Sequence, residues 1–167
     1  MRLSTRGRYA VMAMVEMAAR EGHNGACLQG RPVTLNEIAA AQHLSVAYLE
    51  QLFGRLRRAG LVASARGPGG GYRLARPAAG ITVAAVVEAA DEPIIVTRCE
   101  DGGPGCLAGE RCLTHDLWAE LGDQIRLFLS AVTLADVVEE RVTGRARAPA
   151  PPGAAQDPPA PARRAAQ

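Results

Sequence analysis

Between Arg8 and Arg20 the residues Tyr9, Val11, Met12, Met14, Val15 and Met17 interleave with alanines, apolar over most of a helical circumference. The pattern predicts a largely buried first helix. Gly22 to Pro32 reads as a loop. Thr34-Leu35-Asn36-Glu37 has the form of a capping box, in which hydroxyl and carboxylate satisfy backbone donors at a helix start, and Ile38 with Ala39 to Ala41 continues it as a short helix. After Gln42-His43-Leu44, Ser45 is placed to cap a second helix running to about Ala59, where Gly60 ends it. In that helix Leu49, Leu52, Phe53 and Leu56 recur at three- and four-residue spacing, which leaves Ala47, Tyr48, Gln51, Arg55 and Arg58 on the opposite face.

Further along, Leu61 to Ala65 reads as a strand, Arg66-Gly67-Pro68-Gly69-Gly70-Gly71 as a tight loop and Tyr72 to Ala75 as the returning strand. Short helix, tight turn, amphipathic helix and glycine-tipped hairpin together form a winged helix-turn-helix pattern. Pro77 to Gly80 breaks the chain, Thr82 caps Val83 to Ala90, and Asp91-Glu92-Pro93 stops that helix. Residues 99 to 112 form a glycine-rich loop with three cysteines, too poor in apolar residues to pack itself. A long helix is expected from about Leu113 to Ala131, with Leu113, Leu117, Trp118, Leu121, Ile125, Phe128 and Val132 along one seam, and Thr133 caps a last turn or two through Glu140. From Gly144 the chain is rich in Ala and Pro without periodicity, the composition of a disordered tail. The fold class expected is mainly α with a small β-hairpin. Its organisation is a winged helix-turn-helix domain over 1–80, a cysteine loop and long helix over 81–143, and the tail over 144–167.

Composition alone is ordinary for a globular chain of 167 residues, with 48% hydrophobic and 22% charged residues. No run reaches the ~20 apolar residues of a membrane span, and no signal core opens the chain, so a cytoplasmic protein without membrane contact is expected. The net charge of +2 conceals a segregation: +7 over residues 1–76, −8 over 77–143 and +3 over the tail. A basic half joined to an acidic half reads as a polyanion-binding module attached to something that avoids the polyanion.

The double helix is the polyanion these elements suit. In the major groove Gln51 is suited to an adenine edge, Arg55 or Arg58 to guanine or phosphate, and Tyr48 to the backbone; Ser45 opens the same helix. Glu50, a carboxylate in cationic surroundings, accepts from a cytosine amino group and is penalised elsewhere. In the wing, Gly67, Gly69 and Gly70 let the backbone approach sugar and phosphate, and Arg66 has the reach and charge for a narrow minor groove. Arg2, Arg6 and Arg8 add phosphate contacts. No nucleophile–base pair or phosphate loop is present, so an enzyme is not expected.

Cys99, Cys106 and Cys112 follow a C-x6-C-x5-C spacing, and His115 comes three residues after the last. In a reducing compartment clustered thiols are metal ligands rather than disulfide partners, and Arg98 and Arg111 favour their thiolates. Soft ligands leave zinc or an iron–sulfur cluster; gaps wider than a zinc knuckle lean toward the cluster. Cys27 stands apart and reads as a free thiol.

Several stretches resemble one family. Met1-Arg2-Leu3, Gly7-Arg8-Tyr9-Ala10-Val11, Tyr48-Leu49-Glu50-Gln51-Leu52-Phe53, Arg66 to Tyr72, and Cys112-Leu113-Thr114-His115 with Trp118 are similar to the IscR-type iron–sulfur cluster regulators, a branch of the Rrf-type winged-helix transcriptional repressors. The resemblance covers roughly residues 1–140. It implies a homodimer built on the long helix, a 2Fe-2S cluster held by Cys99, Cys106, Cys112 and His115, a double-stranded DNA operator, and the cluster-assembly machinery as cluster donor. It also implies repression of cluster-assembly genes by the loaded form. A nitric-oxide- or redox-sensing branch with a different cluster lacks the matching histidine, and a zinc-stabilised repressor without sensing is the other alternative. The chain departs from the family in a first cysteine gap one residue longer than usual and in Ala47, where a polar residue is common.

Overall fold

A computed structural model describes residues 5–21, 31–90 and 112–143. Residues 1–4 with Arg2, residues 22–30 with Cys27, residues 91–111 with Cys99 and Cys106, and residues 144–167 lie outside the described residues.

Most helices begin where a hydroxyl satisfies backbone donors that would otherwise be orphaned. After α1 (Thr5–Glu21), Thr34 caps α2 (Leu35–Gln42), Ser45 caps α3 (Val46–Arg58), Thr82 caps α4 (Val83–Ala89) and Thr133 caps α6 (Leu134–Val138). The box expected at Thr34 and Glu37 is present in both directions, and Thr133 with Asp136 forms another. Between α3 and α4, strands β1 (Val62–Ala65) and β2 (Gly71–Leu74) pair antiparallel, Val62 opposite Leu74 and Ala65 opposite Gly71, and a 3-10 turn follows at Ala78–Gly80. The long helix α5 spans His115–Ala131.

Several boundaries differ from the sequence pattern. α1 starts three residues before Arg8, because Thr5 to Gly7 extend a helix whose buried face begins at Gly7. α5 starts at His115 rather than Leu113: Leu113 is fully solvent-exposed in the turn before the helix, and His115 is the first helical residue. Val33, read as following a plain loop, bridges Tyr72 through two main-chain hydrogen bonds of 2.9 and 2.8 Å, adding a third short edge to the hairpin.

The core gathers Met14 and Met17 of α1, Ile38 of α2, Leu49, Phe53 and Leu56 of α3, and Leu74 of β2. Ile81, Val86 and Ala90 around α4 and Leu134 of α6 belong to the same core. A second main-chain bridge joins Thr82 to Thr133, with the Val83 N–H donating to Val132 O (2.8 Å) and the Leu134 N–H to Ile81 O (2.9 Å). It pins the end of α5 to the start of α4, and α6 then packs on α1. Phe53 is fully buried and meets the Tyr72 ring edge-on at 4.9 Å, tying α3 to the hairpin. Phe53→Ala is expected to cost about 3–5 kcal/mol in urea unfolding, because the cavity opens in the core between α3 and the hairpin.

Glu37 gives the fold an acid-sensitive point. Its carboxylate accepts the Thr34 backbone N–H and hydroxyl, each at 2.8 Å, and pairs with Arg31. The backbone bond foremost, then the hydroxyl and the guanidinium, hold its pKa at about 2 against the usual 4.5. A carboxyl whose pKa is lower folded than unfolded adds stability above pH 4.5, and this is lost as pH falls toward 2. Glu37→Gln is expected to flatten the fall of melting temperature across that interval relative to wild type, as read by circular dichroism.

Candidate nucleic-acid interface and metal-ligand turn

The turn between α2 and α3 is made by His43, whose left-handed backbone (φ 52°) caps α2 with its N–H on Ala39 O, and by Leu44, which donates to the same carbonyl at 3.1 Å. Ser45 then restarts the chain as a helix by accepting the Tyr48 N–H at 3.2 Å. Because Leu49, Leu52, Phe53 and Leu56 are all buried, the rotation of α3 about its axis is set. Ala47, Glu50, Gln51 and Arg58 consequently face outward, with Ser45 exposed at the start of the helix.

Tyr48 and Arg55 differ from the sequence reading, which put both opposite the apolar stripe. At about 100° per residue they fall on its flank and are half-buried. Tyr48 leans on Tyr9 of α1 in an edge-to-face pair at 5.9 Å. Two residues of this surface escaped the sequence reading. Arg57 is exposed beside Arg58, and the run of cations closing α3 was its signal. Gly54 lies at the centre of the outward face between Glu50, Gln51 and Arg58, and a Cβ there would meet nothing within 4 Å. A mid-helix glycine costs about 1 kcal/mol relative to alanine, and nothing packed against Gly54 among the described residues requires it. The Arg58 Nε donates to its carbonyl at 3.3 Å.

In the wing the glycines have distinct duties. Gly67 and Gly69 take positive φ of 102° and 79°, values L side chains rarely adopt. Gly70 donates to Gly67 O at 2.9 Å, and a Cβ on it would stand 2.5 Å from Ala65 O; one on Gly71 would stand 2.5 Å from Val33 O. The tip is therefore closed by its own backbone, and Arg66 is exposed beside it. Arg6 and Arg8 are exposed on α1.

Just before α5, Cys112 is a half-buried free thiol whose carbonyl accepts the His115 N–H at 3.0 Å. This turn brings together two of the expected metal ligands, and its thiolate-and-imidazole chemistry fits a soft metal centre. Cys112 Sγ also lies 3.4 Å from Thr114 Oγ1. Beyond the turn, Leu117 (62% exposed), Trp118 (42%), Leu121 and Phe128 lie along α5 and remain partly open to solvent. Among the described residues no helix is long and apolar enough to cross a membrane.

Comparison with known proteins agrees with this arrangement. Residues 3–140 match the Rrf2 family model, described as an iron-dependent transcriptional regulator. The HTH-type transcriptional regulator IscR of Yersinia enterocolitica is 50% identical over 141 residues, 84% of this chain and 81% of that protein. Among solved structures, CymR, the global cysteine regulator of B. subtilis, superposes with a TM-score of 0.68 at 34% identity, covering 84% of this chain and 98% of CymR. IscR of T. potens superposes with a TM-score of 0.63 at 35% identity, covering 84% of this chain and 88% of that one. With the winged helix-turn-helix fold and the Cys-x-x-His turn in place, the chain belongs to the Rrf2 family and is a DNA-binding transcriptional regulator of the IscR type.

Proposed function

We propose that this protein is a cytoplasmic homodimeric repressor that reads the supply of iron–sulfur clusters and controls genes for their assembly. The observation that carries the reading is the placement of Cys112 and His115 on one turn at the head of α5, directly before an apolar face left open to solvent. Cys99 and Cys106 complete the ligand set for a 2Fe-2S cluster, delivered by the assembly machinery. When bound, the cluster supplies a redox-sensitive cross-link between residue 99 and the first turn of α5.

The chain's own residues do the rest. Leu117, Trp118, Leu121 and Phe128 offer the seam on which a second copy packs. Restraining the head of α5 biases a helix whose far end is held to α4 by the Thr82–Thr133 bridge and continued by α6 onto α1. Ligation thereby reaches the DNA-binding residues through packed elements. His115 must be neutral to coordinate, so acid competes with ligation.

On the duplex, Gln51 and Glu50 read base edges, Arg55, Arg57 and Arg58 neutralise phosphates, and Ser45 and Tyr48 position the helix. Gly54 lets α3 sit deep in the groove. Arg66 enters the minor groove while Gly67, Gly69 and Gly70 bring backbone against sugar and phosphate, and Arg2, Arg6 and Arg8 add charge. The organisation is a DNA-binding unit over residues 1–80, a cluster and dimer unit over 81–143, and a tail beyond.

Binding to a duplex enriched by the wild-type protein from a random library is expected to weaken steeply between about 50 and 200 mM salt. Arg66→Ala is expected to weaken it about tenfold, whereas Arg20→Ala, whose side chain is engaged with Glu16 at 2.6 Å, changes it little. Equal losses would remove the wing from the interface. Purified without air, the protein is expected to be coloured, with iron and sulfide in equal amounts, and to bleach on oxidation. A colourless, zinc-loaded protein would overturn the sensing role.

A further inference from the structure

Hydroxyls at the helix starts do not all serve the same purpose. Thr34, Ser45, Thr82 and Thr133 hold extended backbone and each accepts an N–H from three residues ahead. Thr114, at the head of α5, has φ −97° and ψ 5° and makes no such bond. Its hydroxyl is directed instead to Cys112 Sγ, at 3.4 Å. The first turn of α5 carries Asp116 as its acidic complement to the helix dipole.

We propose that Thr114 is a positioning residue for the metal-ligand turn: its hydroxyl donates a hydrogen bond to the Cys112 sulfur and raises the reduction potential of the cluster that sulfur holds. The inference rests on the cluster reading above. A ligating cysteine is deprotonated, so its sulfur only accepts, and the hydroxyl, able to donate or accept in the free thiol, must then donate. One-electron reduction adds negative charge that spreads onto the ligand sulfurs, and a donor aimed at one of them stabilises the reduced form more than the oxidised form. Threonine suits the task because its hydroxyl has not been spent on capping the helix. Val would keep the shape of the side chain and delete the donor, while Ser would keep the donor.

The test uses the full-length protein, purified anaerobically with its chromophore and titrated with dithionite under absorption monitoring. Thr114→Val and Thr114→Ala should both titrate at a potential below wild type, with Thr114→Ser close to wild type. A cap would show itself differently: in the metal-free protein Thr82→Val, which removes a true cap, should lower the melting temperature, while Thr114→Val leaves it unchanged. Unaltered potentials in the Val and Ala variants, or a Ser variant displaced as far as Val, would overturn the proposal. So would a loss of melting temperature in Thr114→Val matching that of Thr82→Val, or failure of both donorless variants to hold a cluster that Ser retains, since the hydroxyl would then serve the helix or assembly. An iron-free wild type would overturn the cluster reading and this inference together; a coloured wild type with unmoved variants overturns this inference alone.

Discussion

Burial of Leu49, Leu52, Phe53 and Leu56 sets the rotation of α3, and what that helix shows to solvent follows from it. These four side chains are between 0 and 2% exposed, and Phe53 also holds the hairpin through Tyr72. A turn of one residue about the axis, about 100°, would bury Glu50 or expose Phe53, and either costs several kcal/mol. The helix is thus clocked by its apolar side, and its outward side is free to carry Glu50, Gln51, Gly54 and Arg58. The same contact ties the hairpin to α3.

A second constraint acts on the rest of the chain. α5 would be a lever without a fulcrum if only its side chains touched the remainder. The main-chain bridge at Thr82 and Thr133 supplies the fulcrum, because two N–H···O bonds and two capping hydroxyls meet where α5 ends and α4 begins. Leu134, fully buried, then places α6 in the core beside α1. On the proposed reading this makes the head of α5 the movable end and the winged domain the anchored one. On that reading a restraint imposed at Cys112 and His115 has a packed route through α5 and α4 toward the proposed DNA-binding residues of α3.

Most of this architecture was readable in the sequence because the decisive signals are local. Thr34 with Glu37, the leucine stripe of α3 and the Gly67–Gly71 loop each specify their element within a few residues, and each appears where expected. What escaped depends on contacts far apart in the chain. Val33 is one apolar residue with no period around it, and only its pairing with Tyr72 makes it part of the wing. The head of α5 was misplaced because Leu113 fits the apolar seam in sequence, whereas the turn that lets the Cys112 carbonyl accept from His115 keeps it outside the helix. Gly54 reads as a weak point of a helix until the open space around it is seen. The outward set on α3 could be listed from spacing, but the half-burial of Tyr48 comes from Tyr9, some forty positions earlier.

Charge completes the argument. The +7 of residues 1–76 and the −8 of residues 77–143 nearly cancel in the sum yet are kept apart in the chain. On α5, Asp116, Glu120 and Asp123 are exposed on the side turned away from the apolar seam, and Arg126 offsets Asp123 at 2.8 Å. On the proposed reading, two copies meeting along that seam leave these charges in water, where screening acts over about 8 Å at physiological salt, while the apolar residues at the centre lose their water. That balance is what the proposed dimer rests on. Against a phosphate backbone no apolar contact compensates, and the exposed Asp116 and Glu120 are repelled. On the proposed reading, segregated charge orients the molecule on DNA: the winged unit is drawn to the duplex, and the Cys112–His115 turn and the seam stay clear of it.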